Sequence, residues 1–510
     1  MPPTISLSLD SLRRAAKELR KAYEAGDGAA RARLKQNPPR PDGGALAHAD
    51  FLHVVAREQG FASWPLLKAA AETHGLDRAQ KQQQLKIALH HGQTGRAHRL
   101  LDDTPDLARG LLGLEIALYD QAAVAATLEK DPGAATRPLG PRSPILHLAF
   151  SRWIHARPDL SGDMIAIAEM LLAHGADVND GEAVGDDHKL SALYGALGHA
   201  NNMVLARWLL AHGADPDDGE SLYHATELGH HDGLRMLLDH GADPTGTNAL
   251  LRAMDFHDLT AVRMLLEAGA RPNEFNADEV GGETPWVVPA LHQAARRMSP
   301  PEMVALLLDH GADPARRYKG ATAYAFARVY GNHAMADLLE ARGVATDLSV
   351  DEALLACAAD GLDSPGQYVD PARLAQVYRG ILREILHLPG KLDHIRRLVA
   401  LGVEYDRPDD MGVTPVQVAG WEGLPEVMAY FFGLGPDMGH VNGYGGTLLS
   451  TILHGAENCP QRADRDHIGC LRLALEHGVA LPRAEIAAPD NAKIAAFLSD
   501  WAERYPGQVV

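Results

Sequence analysis

The chain has 510 residues, with 48 Lys and Arg against 67 Asp and Glu and a formal net charge of −19. That acidity argues against nucleic acid and anionic membrane surfaces, whose binding depends on clustered cations. Three cysteines without a CxxC pair exclude a disulfide framework and fit a reducing cytoplasm, and no apolar run approaches membrane-spanning length.

In chain order, the first residues lack a positive region followed by an apolar stretch, so no signal peptide is expected. Residues 7 to 35 predict one amphipathic helix, with Leu7, Leu12, Ala15, Ala16, Leu19 and Tyr23 on one side, ended by Pro38, Pro39 and Pro41. Residues 46 to 73 carry Phe51, Val54, Val55, Phe61, Trp64, Leu66 and Leu67. Residues 1 to 80 are read as an N-terminal helical cap or accessory region, and 81 to 140 as degenerate copies of the motif that follows.

That motif is two leucines, two variable residues and Gly-Ala-Asp. It ends five stretches: Leu171 to Asp177, Leu209 to Asp215, Leu237 to Asp243, Leu265 to Arg271 and Leu307 to Asp313, with Arg271 replacing the last Asp once. Its glycines lie 28 to 42 residues apart, the period of a repeat array in which one unit cannot bury its apolar face alone. Within a unit, Leu222, Ala225 and Leu228 have helical spacing up to Gly229; Leu234, Met236, Leu237 and Leu238 form a second helix ended by Gly241; Asp243-Pro244 turns the chain outward.

Thr414-Pro415-Val416-Gln417-Val418-Ala419 through Gly423 to Gly435, Thr322 to Ala327 through Gly331 to Gly343, and Ser143-Pro144-Ile145-Leu146-His147-Leu148-Ala149 carry the matching first-helix pattern. In these residues the chain resembles the ankyrin repeat family over about residues 85 to 479. The stretch around Trp64 resembles a segment that precedes the repeats in some bacterial ankyrin proteins. The resemblance implies an all-α solenoid of helix–turn–helix units with β-turn or hairpin loops, here with helical caps at both ends. Repeats are expected over residues 141–345 and 401–480, with an irregular repeat at 346–400. There an inserted loop and a helix from Pro371 to His387 fall between residues 363 and 388. Residues 481–510 hold a C-terminal capping helix.

Little in the chain reads as chemistry. His174, His212, His240, His310 and His477 share one repeat position, and the resemblance makes them structural, bonding the turn backbone of adjacent units. No HExxH or convergent Cys and His set has metal spacing. Cys459 with His454 is a weak nucleophile pair. No catalytic, cofactor or metal residue is therefore assigned, and an enzyme is not expected.

Binding residues are sought at the turns and grooves. Asp180, Glu182, Asp186 and Asp187 precede Lys189, and Asp217, Asp218 and Glu220 follow Asp215. With Glu283 they predict an acidic ridge that steers a basic protein partner. Tyr194 and Tyr223 stand at the first-helix histidine position and would replace its turn contacts or line the groove. Trp286 lies in a longer turn, and Trp421 is expected to be exposed. The leading expectation is a monomeric, cytoplasmic scaffold that binds a protein through its concave groove and turn tips. A small-ligand or enzymatic pocket at the irregular joint, and an effector or toxin-neutralising protein, are the alternatives.

Overall fold

The computed structural model describes residues 9–39, 46, 48–64, 67, 68, 71, 76–184, 188–277, 287–487 and 491–510. The chain divides into two compact units: Met1–Ala290 with Asp309–Ala312, and Leu291–Leu308 with Asp313–Val510.

In the first unit the single helix expected over residues 7 to 35 is two, Leu9–Glu24 and Gly28–Gln36. Gly26 takes a left-handed φ of +84°, and the Asp27 carboxylate accepts the Ala29 N–H at 2.8 Å, which starts the second helix. These helices and His48–Glu58 enclose their own core of Leu12, Leu19, Phe51, Val54 and Val55.

The repeats follow as helix pairs. First helices Leu112–Ala117, Pro144–Ala149, Ala192–Tyr194, Ser221–Ala225 and Ala249–Asp255 form one layer. Second helices Gln121–Lys130, Ser161–Ala173, Met203–Ala211, Asp232–Asp239 and Leu259–Glu267 form the other. The first leucine of each motif, Leu171, Leu209, Leu237 and Leu265, has no exposed surface. Each such burial contributes about 2–3 kcal/mol and fixes the register of one pair on the next. The motif glycine then reverses the chain at φ near +90°, as at Gly175 and Gly213.

The motif's histidine and aspartate have local duties. Nδ1 of His174, His212, His240 and His477 lies 2.7–2.8 Å from the carbonyl four residues earlier. These rings finish their own helix ends rather than reaching an adjacent unit, each adding a second bond to a carbonyl that already accepts the same histidine's backbone N–H. Asp177, Asp215, Asp243 and Asp313 each accept the N–H two residues on, at 2.9–3.0 Å.

Neighbouring turns are tied by side chains. Asn179 Oδ1 accepts the Asp215 N–H at 2.7 Å, and its Nδ2 donates to Gly213 O at 3.0 Å. Asp217 accepts the Asp243 N–H at 2.7 Å. Asn248 accepts the Asn276 N–H and donates to Asn276 O, both at 2.7 Å. Asn179→Ala is expected to lower stability by about 1–2 kcal/mol, since two hydrogen bonds vanish at a solvated site. Urea unfolding checks this, and a loss under about 0.3 kcal/mol would make the ties ornamental.

In the second unit, first helices Ala323–Tyr330, Val350–Ala359, Ile381–Ile385, Pro415–Trp421 and Leu448–Asn458 succeed one another. Of the helix expected over residues 371 to 387, only Ile381–Ile385 and a short turn, Gln376–Tyr378, are helical. Gly380 separates them, and Arg379 folds back to Leu374 O and Ala372 O at 2.8 Å, a bend no continuous helix allows. Helix Ala492–Arg504 buries Ile494 and Leu498 at the far end.

Candidate functional site

In the first unit the first helices present a continuous strip of aromatic and charged groups. Ser191 caps Ala192–Tyr194, accepting the Tyr194 N–H at 2.8 Å. The chain then widens into a π turn, Gly195–His199. A Cβ at Gly195 would sit 2.7 Å from the Phe150 ring, so glycine admits that ring to the strip. Phe150 meets Tyr194 edge-on at 6.0 Å, and Tyr194 lies 4.9 Å from the His224 ring. Tyr223 lies beside His224 at 5.2 Å. Arg252 stands 5.7 Å from the Tyr223 ring and 4.8 Å from that of Phe256, which is 50 % exposed.

Beneath the rings runs a relay. His224 Nε2 is 3.0 Å from Glu220 Oε2, and its Nδ1 is 2.8 Å from Glu227 Oε2. Glu227 Oε1 accepts from Arg252 Nε at 2.7 Å. His188 Nε2 reaches Glu220 Oε1 at 2.9 Å as an ion-pair distance, without hydrogen-bond alignment. Burial opposes charge on His224, but the hydrogen bonds to both glutamates outweigh it and raise its pKa to about 9. Burial likewise opposes charge on Glu227, yet His224 and then Arg252 hold it below the usual carboxylate range. The imidazolium therefore persists at neutral pH, and the relay is rigid because each charge has a short partner.

The other end of the strip is covered by helix Arg78–His91. This helix packs on the turn Arg152–His155. His90 stacks on His199 with centroids 4.2 Å apart, and His199 Nε2 lies 2.9 Å from His90 O. Arg142 lies over Phe150 at 4.0 Å and pairs with Glu182 at 2.5 Å. Burial, then Arg142, lowers the His90 pKa to about 4; burial, then His90 and Arg152, lowers that of His199 to about 3.

The residues singled out by sequence thus separate. Tyr194 and Tyr223 join the strip, each half-buried, with burial raising both phenols. Neither makes the histidine turn contact, which His292 makes in the second unit to Ala321 O at 3.0 Å. Glu220 is 8 % exposed inside the relay. Glu182 is paired, and Asp180 accepts the Ala192 N–H through its backbone carbonyl. Asp218 is occupied within the fold: it accepts the N–H groups of Glu220 and Ser221 and the hydroxyls of Ser191 and Ser221. Asp217 stays exposed, tied to the next turn. Trp421 belongs to the second unit, half-buried, its carbonyl 2.9 Å from His467 Nε2. Asp186, Asp187, Glu283 and Trp286 lie outside the described residues.

Sequence reading missed His224, Glu227, Arg252 and Phe256. A usable signal was present: Glu220, His224 and Glu227 follow i, i+4, i+7, and Arg252 and Phe256 follow i, i+4, which places each set on one helical face. Elsewhere, Cys459 is fully buried with Sγ 3.7 Å from Glu422 Oε2, and burial raises its thiol pKa. The His454 ring instead meets Asn458 Nδ2 at 3.1 Å. Among the described residues no group of His, Cys, Asp and Glu is placed to hold a metal ion, and no helix is long and apolar enough to cross a membrane.

Stacked helix pairs closed by a recurring left-handed glycine define a helical repeat protein. Residues 193–276 match the family described as ankyrin repeats (3 copies), and 289–319 match the single ankyrin repeat. The chain carries ankyrin repeats and folds as an all-α ankyrin solenoid. Among solved structures it is similar to the human ASB11 ankyrin repeat domain, at 21% identity over 47% of this chain and 100% of that one, with a TM-score of 0.34. It is also similar to an ankyrin repeat domain from Acinetobacter baumannii AYE, at 26% identity over 39% and 97%, with a TM-score of 0.30. The search of curated proteins returns no match. Ankyrin repeats generally mediate protein–protein interaction and are typically non-enzymatic scaffolds.

Proposed function

We propose that this chain is a non-catalytic scaffold that holds a protein partner on the inner face of its first unit. Tyr194, Tyr223, Arg252 and Phe256 are the contact residues. The exposed turn carboxylates Asp177, Asp215, Asp217 and Asp243 steer a basic segment toward them. The observation that carries this reading is half-exposed Phe256 beside Arg252, itself anchored to Glu227 at 2.7 Å. Tyr and Arg in a preordered setting supply most binding energy at protein interfaces, because little side-chain entropy remains to be lost. Asp218 and Glu220, both spent within the fold, are replaced in the steering role by the four exposed aspartates.

The test is affinity capture from native lysate at low and high salt. A basic protein retained at low salt is expected, with Tyr223→Ala plus Phe256→Ala weakening its affinity roughly tenfold or more. Asp215→Asn plus Asp217→Asn is expected to reduce the salt dependence while keeping the inter-turn acceptor. Equal capture by wild type and the aromatic double variant would remove this face from the reading.

One observation favours a small-ligand reading. A cleft of about 670 Å³ opens between helices Thr94–Asp103 and Gln121–Lys130, lined by Leu101, Ala108, Leu118, Trp153 and Leu160, with Arg109 on its wall. A ligand copurifying with the chain and lost from Leu118→Arg would move weight to that cleft.

A further inference from the structure

In the second unit, three arginines surround one histidine ring. Arg296 and Arg297 stand at the end of helix Ala290–Arg296, His387 just past Ile381–Ile385, and Arg465 ahead of helix His467–Glu476. Arg465 Nη2 donates to His387 O at 3.2 Å, joining two of these turns. Arg296 lies 3.8 Å from Glu384, three residues before His387.

The two carboxylates that pair with these cations, Glu384 and Glu422, also serve other groups. Glu384 accepts the buried Tyr330 hydroxyl at 2.7 Å. Glu422 is 9 % exposed, takes the Cys459 thiol, and is held above its ordinary pKa by burial; it stands 3.7 Å from Arg465. Charge-assisted pairs normally close to about 2.7–2.9 Å. Arg142 and Arg252 of the first unit do so, at 2.5 and 2.7 Å, as do Arg328 and Arg407 of the second, both at 2.8 Å.

Arg465 meets His387 O and Glu422 through Nη2, so its Nε and Nη1 have no acceptor among the described residues while a fifth of the side chain is exposed. The His387 ring, half-buried, makes no hydrogen bond to another described residue. Burial, then Arg297, Arg465 and Arg296, push its pKa to about 4, so the ring is neutral near pH 7 and sits in a positive field.

We propose that Arg465 and His387, with Arg296 and Arg297 behind them, form a binding site for an anionic oxygen group, a carboxylate or a phosphate carried by a protein partner. The free guanidinium edge takes two oxygens side by side, which suits either anion. The anion also neutralises the field on the imidazole, so the ring takes up a proton as the anion binds.

The experiment is titration calorimetry on the full chain at pH 6, in two buffers of different ionisation enthalpy. Separate arms use inorganic phosphate, an acidic peptide and the same peptide phosphorylated. Saturable binding with proton uptake is expected in at least one arm, and the arms distinguish phosphate from carboxylate as the source. Arg465→Gln is expected to weaken it at least tenfold, Arg465→Lys less, and His387→Gln to abolish the proton uptake. Circular dichroism checks that each variant folds, and Arg465→Lys retains the packing if the glutamine variant does not. No saturable heat in any arm, or binding unaltered by these variants, would overturn the site.

Discussion

Gly455→Ala is expected to destabilise the second unit by about 3 kcal/mol, although alanine favours a helix interior by about 1 kcal/mol over glycine. Gly455 lies within helix Leu448–Asn458, which packs on Pro415–Trp421. A Cβ there would fall 2.1 Å from Trp421 O, 2.6 Å from its Cα and 2.7 Å from its carbonyl carbon. All three are backbone atoms, so no rotamer change relieves the clash and one helix must move off the other. Overpacking of this kind commonly costs 1–3 kcal/mol, and the backbone contact puts this site at the upper end. Gly162→Ala is the control: it lies in helix Ser161–Ala173 with nothing near its added Cβ, and should be neutral or slightly stabilising. Urea unfolding of both variants checks the pair. Equal midpoints would mean that the two helices are not seated as closely as described.

Acidification from pH 6.5 to 4 is expected to cost the first unit on the order of 2 kcal/mol through His90 and His199, after discounting for partial exposure and screening. Their folded pKa values, about 4 and about 3, lie below the ordinary 6.5. Above pH 6.5 both rings are neutral in folded and unfolded chains, and their contribution is complete. As pH falls below 6.5 the unfolded chain takes protons first, so stability drops. Arg142 and Arg152 face the rings and add to the penalty, as does His91, while Glu182 opposes it. His224 works in the other direction: raised to about 9, it contributes fully below pH 6.5 and fades as pH rises through 9. Denaturation midpoints across pH should flatten below 6.5 in His90→Gln plus His199→Gln and above 6.5 in His224→Gln. An unchanged slope in the first variant would mean that helix Arg78–His91 does not depend on neutral rings.

What could be read without coordinates was local chemistry. The Leu-Leu-x-x-Gly-Ala-Asp stretch announces itself because each member serves the same few bonds nearby: a buried leucine, a left-handed glycine and an aspartate closing its own turn. Ankyrin architecture follows from that repetition. The charge of Asp218 shows in the sequence but its local bonds do not, although Ser221 three residues on marks an acceptor with a nearby task. The helix expected over 371 to 387 is shorter because a proline after Asp370 marks where a helix can start but not how far it runs, and Gly380 interrupts it. The strip itself was half legible. Tyr194 and Tyr223 declared their places through the repeat pattern, whereas the contact between His90 and His199 joins residues 109 apart and has no signature in sequence.

The ties between turns bear on how such a chain can change in length. Asn179, Asp217 and Asn248 each grip main-chain atoms of the following turn, not its side chain. Asn179 and Asp217 take the amide of the motif's last residue, and Asn248 one five residues past it, so a unit that makes the same turn offers the same two amides. A duplicated unit would therefore find its predecessor's grip waiting, provided it carried an Asn or Asp of its own to hold the turn after it. Between Asn179 and Asn276, a junction made of backbone amides and such side chains would accept a whole unit more or fewer without matching changes elsewhere in the turn.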